Sequence, residues 1–446
     1  MTTYTDIQYL HTHDDVESTS SEATYPRQTT TLSGFVPGRR YWVLARSSIS
    51  SSSVRSTGGV CIDLFDATNG QQMTGSYGIR HPQNVSHYQQ WSYSVVFTAG
   101  SSDGSSGSIH TRLSVEDASM TGRQDDTTIT ALDITDLVEG RDYFYVENTT
   151  AANNSTTYAR RADITIDVPA DGAMDGDWAV YGFAKVDLNN TAGNENSMTA
   201  LSITHDTTTQ TPETSNEPES ATEFVNGVLG RVCTLATSTS TSARFSLLTK
   251  DATANASPHQ HEVSTLFGLR LSTFRTHGKS YTEAANQSTS TSFVTTDTVA
   301  SIDHVDPDDN KYMVLAMGVF AAESTGRNVK WQINQASTSI SDFDVYTNGV
   351  SSDRSHDGAD ETPFALMIPT TVADGSDSNT FILQYKKDSS AEYGVKDTGI
   401  AVFRLQVPSN VYEWDGSAGD GSVVTAANWT PSGIPRQHDK VIFNTG

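Results

Sequence analysis

The chain has 446 residues and a formal net charge of −25, with 53 acidic against 28 basic side chains. This length suggests about three domains, and so negative a charge disfavours nucleic acid and anionic membrane surfaces as partners. Hydrophobic residues make up only 35% of the chain, which fits many short strands joined by polar loops, each unit having a small core.

The N-terminal residues and the apolar runs bear on export and membrane insertion. The first residues, MTTYTDIQYLHTHDD, lack the basic and apolar regions of a secretory signal peptide. The longest apolar run, Met313 to Ala322, is about half the length of a membrane span. Cys61 and Cys233 lie in apolar strand-like runs and are predicted to be buried free thiols. We therefore expect synthesis in a cytoplasm, no membrane insertion and no disulfide.

An aromatic segment occurs three times, as YWVLARSSI from Tyr41, WAVYGFAKV from Trp178 and YMVLAMGVF from Tyr312. The steps between these segments are 137 and 134 residues. The same two steps separate ITALDI, LFGLRL and IAVFRL, which begin at Ile129, Leu266 and Ile400. Because two separate landmarks keep the same spacing, the chain is predicted to be a tandem repeat of about 135 residues.

Each repeat has the same series of elements. An aromatic segment and a Ser/Thr/Asn-rich loop are followed by an alternating strand (TTTLSGFV, DITIDV or TVASIDHV) and a turn. After the landmark strand come GVCIDLF, SMTALSI or NVKWQI, then a pair of strands, then the closing strand. No segment keeps a 3.6-residue apolar period, and alternation with period two indicates strands with one buried face. The polar insertion Thr207 to Thr222 is predicted to be a loop.

These elements predict an all-β chain of three tandem β-sandwich (jelly-roll-like) repeats, arranged in a row, with seven or eight strands in each. The predicted domains are 1–140, 141–275 and 276–407, followed by a short C-terminal segment, 408–446.

The C-terminal segment differs from the repeats in composition. It resembles the W-x-G…A-x-N-W-x-x-G-x-P…D-x-V-x-F segment that precedes β-helical adhesin and spike domains. The matching residues are Trp414, Gly416, Ala427, Asn428, Trp429, Gly433, Pro435, Asp439, Val441 and Phe443. The resemblance implies either the start of a further β domain or a short terminal cap.

Residues with catalytic or metal-binding chemistry form no recognisable motif. There is no G-x-S-x-G, H-E-x-x-H, phosphate loop or dinucleotide fingerprint. Two histidine pairs with neighbouring carboxylates could bind a divalent metal, because H-x-H along a strand places both imidazoles on one face. They are His11 and His13 with Asp14 and Asp15, and His259 and His261 with Glu262. Both pairs adjoin polar loops, so we expect solvated histidines and no metal site.

Two other sets of residues are candidate sites. The Asp clusters at 171–177 and 306–309 lack the spacing of a calcium loop and fall where turns favour Asp and Asn. The aromatic residues could stack on sugars, but those at repeat-equivalent strand positions are expected in the cores. The aromatic candidates are Tyr41, Trp42, Trp91, Trp178, Tyr312 and Trp331. We predict no catalytic, cofactor-binding or metal-binding residue and no cofactor.

The repeats, each with an aromatic-x-V-L-A segment, a polar loop, an x-x-I-x-L strand and a closing strand like LRL, resemble virion structural proteins of tailed phages. The resemblance covers residues 1 to about 407. It implies a non-enzymatic protein on the particle exterior, either a tail-fibre-like appendage or a capsid decoration. Expected partners are other virion proteins, a host surface glycan or receptor, and further copies of the chain, with a trimer as one option.

Two alternatives remain open from the residues. A cell-surface adhesin or S-layer-like protein would need an export signal or sorting tail. The N-terminal part of a polysaccharide-degrading tailspike is favoured only by the C-terminal segment.

Overall fold

A computed structural model describes most of the three repeats and parts of the C-terminal segment. The described residues are 3–14, 18–20, 27–51, 59–80, 89–100, 107–117, 120–167, 176–188, 197–205, 207–209, 212–216, 223–236, 242–251, 258–274, 276–283, 286–287, 292–303, 310–322, 328–335, 338–346, 361–372, 378–387, 393–409, 411–419, 421, 425–430, 435 and 440–443.

The first repeat is made of strands. They are β1 (Thr3–Asp6), β2 (Tyr9–Asp14), β3 (Ser18–Ser20), β4 (Arg27–Phe35), β5 (Arg40–Ser51), β6 (Val60–Asp66), β7 (Gln71–Gln72), β8 (Gly78–Arg80), β9 (Gln89–Thr98), β10 (Gly107–Val115) and β11 (Gly122–Asp133). One sheet has the order β2-β11-β5-β9, and β4, β10, β6 and β8 are neighbours in that order in a second sheet.

The second repeat has the same plan. Its strands are β12 (Tyr143–Asn148), β13 (Ala152–Asn153), β14 (Ala159–Asp167), β15 (Gly176–Leu188), β16 (Ser197–His205), β17 (Thr207–Thr209), β18 (Glu213–Asn216), β19 (Glu223–Leu235), β20 (Ser242–Asp251) and β21 (Gln260–Arg270). A short 3-10 helix, Leu271–Thr273, follows. The strand orders are β12-β21-β15-β19 and β14-β20-β16-β17, with β18 also on β16.

The third repeat and the C-terminal segment complete the described chain. Their strands are β22 (His277–Thr282), β23 (Asn286–Gln287), β24 (Val294–Asp303), β25 (Asn310–Ala322), β26 (Asn328–Gln335), β27 (Thr338–Tyr346), β28 (Glu361–Val372), β29 (Ser378–Lys387), β30 (Tyr393–Arg404), β31 (Gln406–Ser409), β32 (Val411–Trp414), β33 (Trp429–Thr430) and β34 (Lys440–Phe443). The third repeat has the orders β22-β30-β25-β28 and β24-β29-β26-β27. The C-terminal segment has a 3-10 helix, Ala426–Asn428, and the sheet β33-β32-β34.

Each repeat contains an eight-stranded jelly roll, whose strands we number 1 to 8 along the chain and call principal strands. They are β2, β4, β5, β6, β8, β9, β10 and β11 in the first repeat, β12, β14, β15, β16, β17 with β18 as one edge, β19, β20 and β21 in the second, and β22 and β24 to β30 in the third. One sheet has the order 1-8-3-6, which we call the inner sheet, and the outer sheet has the order 2-7-4-5. The predicted all-β class of tandem jelly-roll-like sandwiches is therefore confirmed. Tyr41, Trp178 and Tyr312 all lie on the third principal strand, so the repeat spacing identified equivalent strands.

The register of the repeat also holds at single residues. Tyr41, Trp178 and Tyr312 pair with three residues of the eighth strands that are again 137 and 134 positions apart: Asp133, Arg270 and Arg404. Asp126 and Asp397 lie beside a register shift in the eighth strands of repeats one and three, with φ of 48° and 51°. Aspartate tolerates this left-handed conformation better than most residues.

The three sandwiches form a ring and not the predicted row. The sixth principal strands β9, β19 and β28 lie against one another at the centre, which defines an axis. Each outer sheet meets the inner sheet of the next sandwich at its edge: β8 pairs with β19 through Ile79 and Phe224, β18 lies against β28, and β27 lies against β9. The first of these pairings joins two sheets into one of ten strands.

The beginning of the first repeat closes the ring onto the end of the third. β1 runs antiparallel to β31, with Thr3 opposite Ser409 and Asp6 opposite Gln406. The Ile7 amide donates a hydrogen bond to the Leu405 carbonyl at 2.9 Å. Ile7 and Leu405 are buried, so apolar burial supports this non-covalent junction.

The apolar interior is not divided into one separate small core for each sandwich, as the sequence predicted. The second and third sandwiches each have a core of their own. The core of the first sandwich instead continues into the axial side chains of the other two as one cluster. Segment Thr207 to Thr222 also differs from the prediction: its described part forms β17 and β18, and Thr214 is buried.

Candidate functional site

The inner sheets are buried on both faces, which explains why their third strands are continuous apolar runs. In β25, alternate residues enter the core of the third sandwich, while those between them point to the axis. The core residues are Tyr312, Val314 and Ala316, and the axial residues are Met313, Leu315 and Met317. The sequence run that identified the repeat therefore encodes both a sandwich and an interface between sandwiches.

Aromatic rings form the axial contact between the first and second sandwiches. The Trp42 ring stacks on Phe267 at 4.2 Å between centroids and lies 5.2 Å from Tyr181. Phe274 and Phe403 make a similar contact at 4.2 Å between the second and third sandwiches. Such ring pairs add to the stability that burial alone provides.

Hydrogen bonds also cross the boundaries between sandwiches near the axis. The Thr130 hydroxyl donates to the Met367 carbonyl at 2.6 Å, and the Thr265 hydroxyl donates to the Ser94 carbonyl at 2.7 Å. The Val228 amide donates to Ser92 Oγ at 2.9 Å. These buried groups are hydrogen-bonded across the junctions, which favours one defined arrangement.

Charged groups fasten the second sandwich to the third. Asp177 lies 3.3 Å from His277 Nε2 and 3.4 Å from Lys279 Nζ. Burial alone would raise the pKa of Asp177, but hydrogen bonds from His277 and Thr234 and the charge of Lys279 lower it to about 2. Arg231 similarly pairs with Glu283 across this boundary.

The first histidine pair is only partly solvated. His11 Nδ1 lies 2.8 Å from Thr130 Oγ1, and burial lowers the pKa of His11 to about 4, with a smaller effect of His13. His13 is exposed and lies 3.9 Å from Asp126. Asp15 falls outside the described residues.

The prediction of solvated histidines is wrong for His259 and His261. Both are fully buried, because the turn at Asn154 covers them: the Asn154 amide donates to the His259 carbonyl at 2.8 Å. His259 Nδ1 lies 3.0 Å from Asp251, and burial together with Arg161 lowers the pKa of His261 to about 4.

The second proposed ligand set is not brought together. Glu262 pairs instead with Lys185 at 2.5 Å, since successive strand residues point to opposite faces. Among the described residues, no group of three or more His, Cys, Asp or Glu side chains is placed to hold a metal ion. Of the Asp clusters, 171–175 and 306–309 lie outside the described residues.

The aromatic sugar-stacking candidates lie in the protein interior. Tyr41, Trp42, Trp91, Trp178, Tyr312 and Trp331 are all at most 2% exposed, so none offers a face to a ligand. Cys61 is buried and Cys233 is half-buried, and both are free. Burial raises the pKa values of these thiols, to about 11 for Cys61 and about 12 for Cys233.

The matched aromatics of the C-terminal segment pack together. The ring centroid of Trp414 lies 5.0 Å from Trp429 and 6.1 Å from Phe443. Buried Asn428 accepts a hydrogen bond from the Ala418 amide at 2.9 Å. These contacts give Trp414, Asn428, Trp429 and Phe443 a structural role.

A cleft on the outer sheet of the first sandwich was missed by the sequence reasoning. Its floor and walls include Asp63, Gln72, Tyr77, Arg112 and Glu116. The alternation in VCIDLF and HTRLSV places Asp63 and Arg112 on the face away from the core. This alternation is the sequence feature that could have predicted the two polar residues of the cleft.

No helix in the described part of the chain is long and apolar enough to cross a membrane.

No protein-family model matches the sequence, and no curated protein matches it. Among solved structures, the chain is similar to one from the Sulfolobus Turreted Icosahedral Virus, with 10% identity over 85% of this chain and 84% of that chain and a TM-score of 0.22. A chain from a study of the triple jelly roll fold and turret assembly in an archaeal virus has 11% identity over 90% of both chains and a TM-score of 0.20.

The comparison also finds PNGase F, a glycosylasparaginase from Flavobacterium meningosepticum. It has 10% identity over 59% of this chain and 96% of that chain, with a TM-score of 0.29.

Proposed function

We propose that the chain is a non-enzymatic structural protein on the exterior of a tailed-phage particle, as an appendage or a capsid decoration. The observation that carries the proposal is the closed ring of three jelly rolls. One chain thereby presents three related outer surfaces around an axis, as a homotrimer does. Such a block can contact symmetric neighbours while its loops differ from one sandwich to the next.

The charge of the chain supports an exterior position. A net charge of −25 repels a packaged genome and keeps the protein apart from other copies before assembly. Basic surfaces on capsid or tail subunits would then attract it. Host attachment through the outer loops is part of the proposal.

Cryo-microscopy of purified particles tests this function. We expect external density that fits a closed three-lobed ring, and labelled antibody to the protein at the same place on the particle. Recovery of the protein from the envelope fraction of uninfected cells, with none on particles, would contradict the proposal and favour the adhesin.

A further inference from the structure

The cleft on the outer sheet of the first sandwich has the dimensions of a small-ligand site. Its volume is about 350 Å³, within the range of pockets that bind small molecules. It lies on the face of β6 and β10 opposite the core, so a ligand there would leave the ring intact.

The polar groups of the cleft are held in fixed orientations. Arg112 donates from Nε to Asp63 Oδ1 at 2.8 Å and from Nη2 to Oδ2 at 2.5 Å. Gln72 Nε2 donates to the same carboxylate at 2.7 Å. The Arg112 guanidinium lies 4.0 Å above the centroid of Phe65. A planar carboxylate, guanidinium and amide are thus ordered before any ligand arrives, which lowers the cost of binding.

This arrangement differs from an ordinary surface ion pair. Asp63 is 5% exposed and Arg112 is half-buried, so both have lost much of their hydration. Solvated surface pairs contribute little to stability, and buried ones often gain less than desolvation costs. Asp63 and Arg112 lie directly opposite each other on β6 and β10, so this ordered pair at the floor of an open cleft suits recognition as well as sheet stability.

One wall of the cleft is aromatic and borders the second sandwich. The Tyr77 hydroxyl donates to Cys61 Sγ at 3.2 Å, and burial raises the pKa of Tyr77, which keeps the phenol neutral. The Tyr77 ring lies 6.2 Å from Phe224 of the second sandwich. Lys185 Nζ sits 4.4 Å from the Phe224 centroid and 5.7 Å from that of Tyr77, so residues of the second sandwich hold this wall in place.

We propose that the cleft binds a neutral saccharide of one or two sugar units. Sugar hydroxyls match planar groups that accept and donate in one plane, and an aromatic wall matches the apolar face of a sugar ring. Asp63 already neutralises Arg112, and Glu116 adds a further carboxylate, so anionic ligands are disfavoured. A role in host attachment rests on the proposed exterior position, whereas saccharide binding itself does not.

Saturation-transfer NMR on the full chain tests the proposal. The probes are the methyl glycosides of glucose, galactose, mannose and N-acetylglucosamine, with methyl glucuronide as the anionic comparison. At least one neutral glycoside should receive saturation, and methyl glucuronide should receive less. Absence of saturation of every neutral glycoside by the natural protein would overturn the proposal.

Two variants and a matched control assign binding to this cleft. Gln72→Ala removes the amide of the cleft, and Asp63→Asn replaces one carboxylate oxygen, which accepts from Arg112 and Gln72, with a donor. Each should weaken binding at least about fivefold, since a lost hydrogen bond costs about 1 kcal/mol or more. Gln71→Ala changes the neighbouring exposed residue of β7 and should bind as the natural protein does. Equal binding by Gln72→Ala and Gln71→Ala would place the saccharide elsewhere and contradict the proposal. Particle imaging is independent of these results, so either proposal can fail alone.

Discussion

The first and third sandwiches have the same strand order but bury their inner sheets differently. In the third, the axial residues belong to the shared central cluster, while the other face of the inner sheet packs in a core made only of third-sandwich residues. In the first, core and axis are one cluster, and polar residues enter the interface: buried Arg46 donates to Gln90 at 3.2 Å, and Gln90 donates to Ser48 at 2.7 Å. The repeats therefore share one strand topology, and the side chains on the axial face determine how each sandwich packs against its neighbours.

The largest losses of stability are expected from removing one tryptophan side chain at the axis and one in the core of the third sandwich. Trp42→Ala at the axis and Trp331→Ala in the third core should each cost about 3–5 kcal/mol of unfolding free energy. Hydrogen exchange should rise in all three sandwiches for Trp42→Ala but mainly in the third for Trp331→Ala, where the ring packs on Phe364 at 4.4 Å. Faster exchange confined to the first sandwich in Trp42→Ala would break the comparison.

The closing strands provide a matched series with smaller side chains. Ile129, Leu266 and Ile400 are each 0% exposed, so truncation to Ala should cost about 2–5 kcal/mol in denaturant titrations. Ile129 belongs to the central cluster shared by the three sandwiches, while Leu266 and Ile400 belong to the separate cores of the second and third sandwiches. Only Ile129→Ala should therefore destabilise all three sandwiches together. Losses below about 1 kcal/mol at all three positions would contradict their burial in cores.

The fold of each unit could be predicted from local patterns, but the ring could not. The repeat spacing and the alternation around Ile129, Leu266 and Ile400 identify strands because a sandwich needs one buried face per strand. Burial of the second face of β25 depends on partners in another sandwich, such as Gly230 beside Met317, which no local pattern specifies. The buried His259 and the cleft at Asp63 depend on such tertiary contacts too.

Acidification should lower the stability of the first sandwich and raise that of the third. His11 is the group responsible in the first. The folded pKa of His11 is about 4 against an ordinary 6.5, so the unfolded chain binds the proton more readily. Stability from this group is present above pH 6.5 and is lost as pH falls towards 4. His11→Gln should reduce that loss by about 1–2 kcal/mol after allowance for partial solvation, as measured by urea unfolding at pH 7 and pH 4.5. An unchanged pH dependence would contradict the burial of His11.

In the third sandwich, acidification should increase folding stability, because Asp397 is more readily protonated in the folded protein. Burial raises the pKa of Asp397 to about 6, although Lys396 and Arg231 act to lower it. Its contribution to stability is present below pH 3.8 and is lost as pH rises through 6. Asp397→Asn should stabilise the protein at pH 7 by about 1 kcal/mol, since Asn also tolerates the positive φ at this position. The same variant should have little effect at pH 4, and equal effects at both pH values would rule out titration as the cause.

Ring closure is tested most directly by a disulfide between β1 and β31. The side chains of Asp6 and Gln406 face each other, with 2.8 Å between Oδ1 and Nε2, and paired strand positions suit a disulfide. In a chain carrying Cys61→Ala and Cys233→Ala, we expect Asp6→Cys with Gln406→Cys to form an intramolecular bond on mild oxidation of dilute monomer. The pair Asp6→Cys with Gln71→Cys should not form one. Free thiols or only intermolecular dimers from the first pair would contradict the ring and support an open row of sandwiches.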